Sequence, residues 1–327
     1  MKTFTESMRH ALNGPTMGTR WSALFFTAPG FDPGPVQAAL QQAVDTVDSL
    51  MSTWKPDSTL MDLNRMPPGT TVLVPDDLAY VLALGLEIGR ASDGAFDIGM
   101  GDAVRAWGFG PDEADVQGIR AAMKAQRHPA HKVMEVDGNR VRKHGVIALD
   151  LNGIAKGHGV DRLAQTLQNH DVEAALVGID GELRAMGAKP NGEPWTVAVE
   201  APDLDRRAPH SILSLQDAAV ATSGDYRHWV NVRGRRLSHT MDPTRGAPLV
   251  SSPASVTVLA PTCAQADAWA TAFMVVGPEA GTRLAAQQGM SVLFLMRDGA
   301  CGVHAKGCGP LFENRDITST FCSGGVG

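Results

Sequence analysis

Apolar residues recur with the period of an α-helix in several stretches of the chain. They fall three and four residues apart in residues 36–51 and 78–89. The same spacing recurs in residues 264–276 and 279–288, which are separated by a Gly–Pro pair. Spacings of this kind place the apolar side chains on one face of an amphipathic helix. The pattern therefore predicts four helices, of which the last two follow one another directly.

Alternating or continuous apolar runs predict strands between these helices. Trp195, Val197 and Val199 alternate with other residues in the manner of a half-buried strand. Residues 133–143 predict a hairpin about an Asp–Gly turn. Further strands or strand pairs are predicted at residues 14–28, 174–183, 226–239, 255–259, 290–296 and 302–305. Residues 218–224 are instead small and typical of a turn. We predict an α+β fold with mainly antiparallel sheets.

The stretch of residues 147–167 combines both patterns around a glycine-rich turn. An apolar run, residues 147–151, predicts a buried strand, and the spacing of residues 160–167 predicts a helix. Gly153 and Gly157 lie between them, with Lys156 inside the turn. A strand that leads through such a turn into a helix presents free N–H groups and a positive dipole end, which suit a phosphate. Alternatively, the glycines only permit close packing.

Composition narrows the class of protein. Of 327 residues, 43% are hydrophobic and 20% charged, as in ordinary globular proteins, and the chain has no long linker. We therefore expect a single domain over residues 1–327. The net charge of −6 and the lack of a basic stripe argue against nucleic-acid binding. Four cysteines, without C-x-x-C spacing, argue against a zinc ribbon.

The chain also lacks the sequence features of membrane insertion and export. No apolar run reaches the roughly 18 residues that a transmembrane helix needs. The first residues lack the apolar region of a secretory signal. We expect a cytoplasmic protein as the chain stands, or a periplasmic one if a leader has been removed.

A few polar residues could carry chemistry. Asp267 and Thr271 lie one turn apart on a predicted helix and could offer two oxygens to Mg²⁺. Alternatively, the carboxylate is solvated and the hydroxyl bonds back to its own helix. His239, in a polar loop, could act as a general base or be a structural residue. Trp54 could stack on a ligand or simply pack.

Several motifs in a fixed order give a more specific signal. The sequence contains, from its N-terminal end, GPTMGTRWS, AFDIG, LDLNGIAKGHGVD, IDGELRAMG, ATSGDYR, SHTMDPTRG and ADAWATAF. Together these motifs resemble the ApbE family of FAD:protein FMN transferases, over residues 14–277. The resemblance implies an ApbE-like, T-fold-like architecture of two intimately joined subdomains within the one domain.

The resemblance also implies an activity. Members of that family take FAD as a substrate with Mg²⁺, transfer FMN to a Thr or Ser hydroxyl of an acceptor flavoprotein through a phosphoester bond, and release AMP. Some members hydrolyse FAD to FMN and AMP. On this resemblance, His239 would assist the acceptor hydroxyl. The positions that match FAD contacts are Met17, Trp54, Ala95, Phe96, Asp97, Asp150, Lys156 and, through its backbone, Met241. The positions that match metal ligands are Gly153 (through its carbonyl), Asp267 and Thr271.

The sequence departs from the family's pattern at several positions. Trp54 stands where many relatives have Tyr, and His158 stands where Tyr is usual. Asp180 and Gly181 replace a glycine pair ahead of Glu182. Most relatives also carry an export signal or a lipid anchor. Two other functions stay open beside the transferase: an FAD pyrophosphatase that gives FMN and AMP, and a non-catalytic FAD-binding assembly factor.

Overall fold

The computed structural model describes residues 7–203, 208–225, 229–232, 235–298, 302–312 and 316–320. Within these residues the chain forms eighteen strands and eight helices. The strands are β1 (Met8–Thr16), β2 (Thr19–Thr27), β3 (Thr71–Leu73), β4 (Met134–Asp137), β5 (Arg140–Lys143), β6 (Ala175–Ile179), β7 (Glu182–Met186), β8 (Trp195–Glu200), β9 (Pro209–Leu215), β10 (Ala219–Gly224), β11 (Trp229–Val232), β12 (Arg235–Ser238), β13 (Met241–Asp242), β14 (Ala247–Pro248), β15 (Ser255–Ala260), β16 (Ser291–Asp298), β17 (Gly302–Cys308) and β18 (Asp316–Thr320). The helices are α1 (Gly34–Met51), α2 (Thr59–Arg65), α3 (Asp76–Ala91), α4 (Gly101–Ala106), α5 (Val116–Lys124), α6 (Ala130–Val133), α7 (Ala155–Asn169) and α8 (Cys263–Gln287).

A nine-stranded sheet is the largest unit, with its strands side by side in the order β1-β2-β6-β7-β10-β15-β16-β17-β18. Every neighbouring pair runs antiparallel. Smaller sheets pair β3, β5 and β4, β8 with β9, β11 with β12, and β13 with β14. The predicted α+β class with mainly antiparallel sheets is therefore confirmed.

The large sheet is covered on both faces, because successive side chains of a strand point to opposite sides. Val258 of β15 belongs to a core shared with α3 and α8. Its neighbour Leu259 belongs to a separate core with Trp195 and Leu215 of the β8–β9 hairpin. A third core joins β2 and β6 to α1 and α7. The helices α7 and α8 thus lie on one face of the sheet, and the β8–β9 hairpin lies on the other.

The predicted helices are all present. The apolar stripe of α7 is buried as expected, with Val160, Leu163, Ala164 and Leu167 at most 1% exposed. In α8, Gly277 interrupts the helix with φ 73° and ψ 177°, directly before Pro278. The two consecutive helices that the sequence predicts are the two halves of this kinked element. No helix in the described part of the chain has the length and apolar character needed to cross a membrane.

Two predictions of local structure are wrong. Residues 147–151 form no strand, because their backbone pairs with the segment that leads into α4: the Asp150 N–H donates to the Ile98 carbonyl and the Gly101 N–H to the Ala148 carbonyl, both at 2.9 Å. The small residues 218–224 form the central strand β10 instead of a turn. Ala221 of that strand clusters with Ala266 of α8, so small side chains here allow the helix to approach the sheet closely.

Other expectations concern residues that are only partly described. The strand pair predicted at residues 226–239 is present as β11 and β12, but its turn at residues 233–234 lies outside the described residues. Cys263 is buried with a free thiol, and Cys308 is also free. Cys301 and Cys322 lie outside the described residues.

Candidate functional site

The first turn of α7 lies directly against α8. The backbone N–H of Gly157 donates to Oδ2 of Asp267 at 3.0 Å. A Cβ atom at Gly157 would lie 2.4 Å from the carbonyl oxygen of Cys263, closer than any real contact. Only glycine therefore permits this approach of the two helices, which places the Asp267 carboxylate at the positive end of α7.

Asp267 and Thr271 share one face of α8, as their spacing predicts. The Thr271 hydroxyl lies 3.4 Å from the Ser223 hydroxyl of β10. A Cβ atom at Gly153 would lie 3.1 Å from Thr271 Oγ1, so the loop before α7 runs past this side chain. The structure thus brings Gly153, Asp267 and Thr271 together between α7, α8 and β10.

Lys156 lies in the first turn of α7 and not in the preceding loop where the sequence places it. Its ammonium is 3.1 Å from Oε1 of Glu182 and 3.3 Å from Oδ2 of Asp180. Burial lowers the pKa of Lys156, but the carboxylates of Glu182, Asp267 and Asp180 outweigh it, and the pKa lies above its usual value. The Lys156 ammonium is thus already paired with the two carboxylates at the β6–β7 turn.

The carboxylates beside Lys156 are held in an unfavourable environment. Asp267 is 4% exposed and Glu182 is 5% exposed. Burial, then repulsion from Glu182, raises the pKa of Asp267 to about 7, against the opposing effects of Lys156 and the Gly157 N–H. Burial also raises the pKa of Glu182. Among the described residues, Oε2 of Glu182 has no hydrogen-bond partner. Three carboxylates face one ammonium, so the cluster carries an excess of negative charge that a cation would offset.

The donor set around Asp267 suits a small hard cation. In the described part of the chain, no three or more His, Cys, Asp or Glu side chains are grouped as a metal site. A cation held here by the Asp267 carboxylate and the Thr271 hydroxyl, with the Gly153 carbonyl that the resemblance implies, would fill its remaining positions with ligand or water. Magnesium binds in this way, through few protein oxygens and several from substrate phosphate.

The loop that carries Ala95, Phe96 and Asp97 also approaches Gly153. Ala95 and Phe96 are buried, and a Cβ atom at Gly153 would lie 3.3 Å from the Phe96 ring. Oδ1 of Asp97 accepts the N–H groups of Gly99 at 2.8 Å and Ala130 at 3.0 Å. Burial raises the pKa of Asp97 against these two bonds. The described bonds of Asp97 therefore order its own loop and the start of α6.

Asp150 and Met17 flank the first turn of α7. Both oxygens of Asp150 accept from Asn152, one from its backbone N–H and one from its amide, each at 3.0 Å. Burial raises the pKa of Asp150 to about 6. Met17, with φ 44°, occupies the β1–β2 turn as predicted. A Cβ atom at Gly159 would lie 3.2 Å from the Met17 methyl, so this side chain covers α7.

Trp54 lies apart from these contacts in the loop between α1 and α2. Trp54 is 59% exposed, a larger exposed fraction than that of any other Trp, Tyr or Phe whose side chain the structure describes. Its backbone N–H donates to the Ser52 hydroxyl at 3.2 Å. An exposed indole on an ordered loop is available to stack on a planar ligand.

The loop that contains His239 and Met241 is positioned by α4 and α5. The Met241 side chain is 7% exposed and packs in a small core with Met100, Ala103 and Ala122. The His239 ring meets Phe109 edge to face, with a centroid distance of 6.5 Å. The carbonyl of Gly246 accepts from Trp107 Nε1 at 2.9 Å. The Met241 side chain thus packs against α4 and α5, and the contact of its backbone with FAD stays a prediction from the resemblance.

Two residues of this region were not recognised as site residues from the sequence. Glu182 reads as part of a turn, although it begins β7 and binds Lys156. Ser223 reads as one small residue among others, although its hydroxyl lies beside Thr271. The signal for Ser223 is its place in the ATSGD motif. For Glu182 it is the reversal of the chain at Asp180 and Gly181, which returns the following residue towards α7.

Comparison with known proteins gives one consistent result. The sequence profile described as "ApbE family" matches residues 17–294. The chain is 34% identical to "FAD:protein FMN transferase" of Klebsiella pneumoniae (strain 342) over 296 residues, which cover 88% of this chain and 84% of the relative. It is 35% identical to the protein of the same name from Vibrio cholerae over 290 residues, with 88% and 87% covered.

Solved structures agree with these relatives. The fold is similar to the apo form of Pseudomonas stutzeri flavinyl transferase ApbE, with a TM-score of 0.82 and 34% identity over 94% of this chain and 98% of that one. It is also similar to the flavin transferase ApbE from Vibrio cholerae, with a TM-score of 0.81 and 32% identity over 93% of this chain and 98% of that one.

Proposed function

The chain belongs to the ApbE family, and from this membership and the geometry around Asp267 we propose that it is an Mg²⁺-dependent FAD:protein FMN transferase. In this proposal FAD is consumed as a substrate. A Thr or Ser hydroxyl of an acceptor flavoprotein receives FMN through a phosphoester bond, and AMP is released. The proposal takes residues 1–327 as one functional domain.

The observation that carries the proposal is the meeting of Asp267, Thr271 and Gly153 at the start of α7. These residues offer a carboxylate, a hydroxyl and a carbonyl, and the excess of buried negative charge beside them favours a divalent cation. When bound there, Mg²⁺ would neutralise charge on the pyrophosphate and on the departing AMP. A protein that only stores a flavin needs no such site next to the pyrophosphate.

The residues around this site divide the binding of FAD among them. Phe96 gives apolar surface at the Gly153 loop, Met17 gives apolar surface against α7 at Gly159, and Trp54 gives an exposed ring for stacking. Asp97 and Asp150 order the loops that would enclose the ligand. Lys156 holds the β6–β7 turn and also brings positive charge near the pyrophosphate.

His239 would take the proton from the acceptor hydroxyl, which is a weak nucleophile until it is deprotonated. The hydroxyl oxygen then forms a bond to the phosphorus of the FMN half. The bond between that phosphorus and the bridging oxygen breaks, and AMP leaves with the electron pair. The buried side chain of Met241 and the packing of Phe109 on His239 would keep the histidine loop in place during this transfer.

Incubation of the purified chain with FAD and a Thr-containing acceptor, in Mg²⁺ or in EDTA, tests the proposal. We expect an FMN-sized increase in acceptor mass, release of AMP, and loss of both in EDTA. Asp267→Asn should abolish them, whereas Asp137→Asn, in the exposed β4–β5 turn, should not.

Other products would identify another function. Free FMN and AMP without acceptor modification would indicate an FAD pyrophosphatase, in which water replaces the acceptor hydroxyl. Intact FAD in every sample would indicate a non-catalytic FAD-binding assembly factor and would contradict the proposed metal site. The compartment in which the chain acts stays a prediction.

A further inference from the structure

A buried histidine joins α3 to α7 outside the contacts described for the candidate site. His158 is 4% exposed, and its Nε2 lies 3.2 Å from Oδ1 of Asp77. The ring of Tyr80 lies against it, with a centroid distance of 5.6 Å. Arg162 approaches the other oxygen of Asp77, at 3.6 Å. The hydrogen bond from His158, which outweighs burial, lowers the pKa of Asp77. Asp77 is therefore a carboxylate acceptor for His158 at neutral pH.

Keeping this histidine buried is costly. Its Nδ1 is buried and has no hydrogen-bond partner among the described residues. A buried polar atom without a partner reduces stability, because it has lost its bonds to water. An apolar side chain of similar size would avoid that loss. The bond to Asp77 is the contact that an apolar side chain could not make.

Three consecutive residues attach the first turn of α7 to three different elements. Lys156 binds the β6–β7 turn through Glu182. Gly157 binds α8 through Asp267. His158 binds α3 through Asp77. The side chains of Lys156 and His158 are two residues apart and leave the helix about 200° apart, while the Gly157 N–H points along the helix axis. Together the three attachments restrain both the position and the rotation of the turn.

The attachment at Gly157 is the one that reaches the candidate metal site. The helix can move little towards α8, because the Cys263 carbonyl fills the place of a Cβ atom at Gly157. The position of the Gly157 N–H relative to Asp267 therefore depends on the rotation of the turn, which His158 restrains through its bond to α3. That N–H holds Oδ2 of Asp267 and so determines where Oδ1 points.

We propose that His158 is a positioning residue for the metal site: its bond to Asp77 orients the first turn of α7 so that the Gly157 N–H holds Asp267 ready to bind a cation. His158 acts through Gly157 and touches neither cation nor substrate. This inference rests on the proposed function, since it takes Asp267 as a metal ligand.

The test measures binding of Mn²⁺ alone to the purified full chain by electron paramagnetic resonance, which requires no turnover. We expect His158→Leu to weaken Mn²⁺ binding about tenfold, the lower end of the range for loss of an outer-shell partner. His158→Gln keeps an N–H donor and should restore affinity to within about threefold of wild type. Asp77→Ala removes the acceptor instead and should weaken Mn²⁺ binding as much as His158→Leu does. It provides a second test if His158→Leu does not fold.

Two controls separate positioning from general damage. Arg162→Gln removes the exposed second partner of the same carboxylate, on the same helix, and should leave Mn²⁺ affinity unchanged. FAD affinity in EDTA, measured by flavin fluorescence, should stay within about twofold in the His158, Asp77 and Arg162 variants, because without a metal ion the Asp267 carboxylate does not contribute to FAD binding.

The outcomes distinguish the two proposals. Wild-type Mn²⁺ affinity in both His158→Leu and Asp77→Ala would overturn the positioning role, and so would a loss in His158→Gln as large as that in His158→Leu. If Asp267→Asn binds Mn²⁺ as tightly as wild type, the metal site itself is wrong and both proposals fall. A wild-type chain that binds Mn²⁺ at Asp267 yet transfers no FMN would overturn only the proposed function.

Discussion

The backbone N–H of Gly157 and the carboxylate of Asp267 join the start of α7 to the second turn of α8 across 3.0 Å. The residue that precedes α7, Ile154, provides no side-chain cap. Asp267 therefore caps the N-terminus of α7 in place of a Ser or Asp directly before the helix. It also brings negative charge to the positive end of the helix dipole. The start of one helix and the orientation of a candidate metal ligand depend on the same bond.

Replacement of Gly157 by Ala should separate the two helices. The added Cβ would lie 2.4 Å from the Cys263 carbonyl, a backbone atom that cannot move aside easily. We expect a loss of about 1–3 kcal/mol in the free energy of unfolding, as for other overpacked sites, and weaker Mn²⁺ binding. Gly145→Ala is the matched control, because its Cβ would have no neighbour closer than 3.6 Å. Denaturant unfolding of both variants checks this, and equal stability would contradict the close approach.

The ion pair of Lys156 and Glu182 should give a large interaction free energy in a double-mutant cycle. Lys156→Met leaves the buried Glu182 carboxylate without its cation, which typically costs about 3–5 kcal/mol of stability. Glu182→Gln removes the negative charge that Lys156→Met leaves unpaired, so the double variant should be more stable than Lys156→Met alone. A double-mutant cycle by denaturant unfolding measures the interaction. Additive effects would show that the two side chains do not depend on each other.

Replacement of Asp150 by Asn should stabilise the protein at alkaline pH. Burial raises the pKa of Asp150 from its ordinary 3.8 to about 6, so the folded state keeps the proton longer than the unfolded state. The free energy of unfolding therefore falls between those two pH values and stays lower above them. We expect Asp150→Asn to gain about 1 kcal/mol at pH 8, given the partial exposure of Asp150, and nothing at pH 3.5.

Thermal or urea unfolding at the two pH values checks this prediction. An equal gain in the free energy of unfolding at both pH values would show that the effect does not come from the titration of Asp150. Asp150 also matches a position that contacts FAD, so the stabilised variant should bind FAD more weakly. Such an exchange of stability for binding is common where a polar group is held in a site under strain.

Loss of the exposed indole of Trp54 should affect ligand binding and not stability. Its side chain is 59% exposed, so its removal uncovers little buried surface. We expect Trp54→Ala to reduce FAD affinity by about 1–3 kcal/mol, the usual worth of stacking a base on an aromatic ring, and Trp54→Phe to restore part of it. Leu73→Ala, at a side chain that is 76% exposed, is the control. Quenching of flavin fluorescence reports both.

Removal of the His239 imidazole should slow transfer without preventing FAD binding. A general base usually contributes about 10²–10⁴ in rate, and His239→Ala should lose that factor in acceptor labelling. FAD affinity should change little, because the neighbouring Met241 is held by its buried side chain. Single-turnover labelling followed by intact mass checks the rate. Labelling at the wild-type rate would exclude His239 as the base.

Most of the fold could be predicted from the sequence because its helices bury one face each. The stripe in α7 and the two halves of α8 have the periodicity that such burial requires. The strand β10 was not predicted from the sequence. Its small residues resemble a turn, and only the close approach of α8, seen at Ala221 and Ala266, explains why small side chains are needed there.

The site was predictable in part for a similar reason. The spacing of Asp267 and Thr271 alone places them on one helix face, and the motifs suggest the rest. No local pattern shows that Lys156 turns towards Glu182, since this pairing depends on how β6 and β7 reverse beside α7. The strand predicted at residues 147–151 does not form because its backbone partners, Ile98 and Gly101, lie in a loop and at the start of α4 and not in a strand.

The bond between Gly157 and Asp267 also bears on which ion the chain selects. With Oδ2 engaged by an amide, the carboxylate offers Oδ1 as a single-oxygen, monodentate ligand. Calcium commonly requires six to eight oxygens, often with a carboxylate clasped through both of its oxygens, whereas magnesium is satisfied by one. In the proposed metal site, a carboxylate that offers one oxygen would suit the smaller Mg²⁺ better than Ca²⁺.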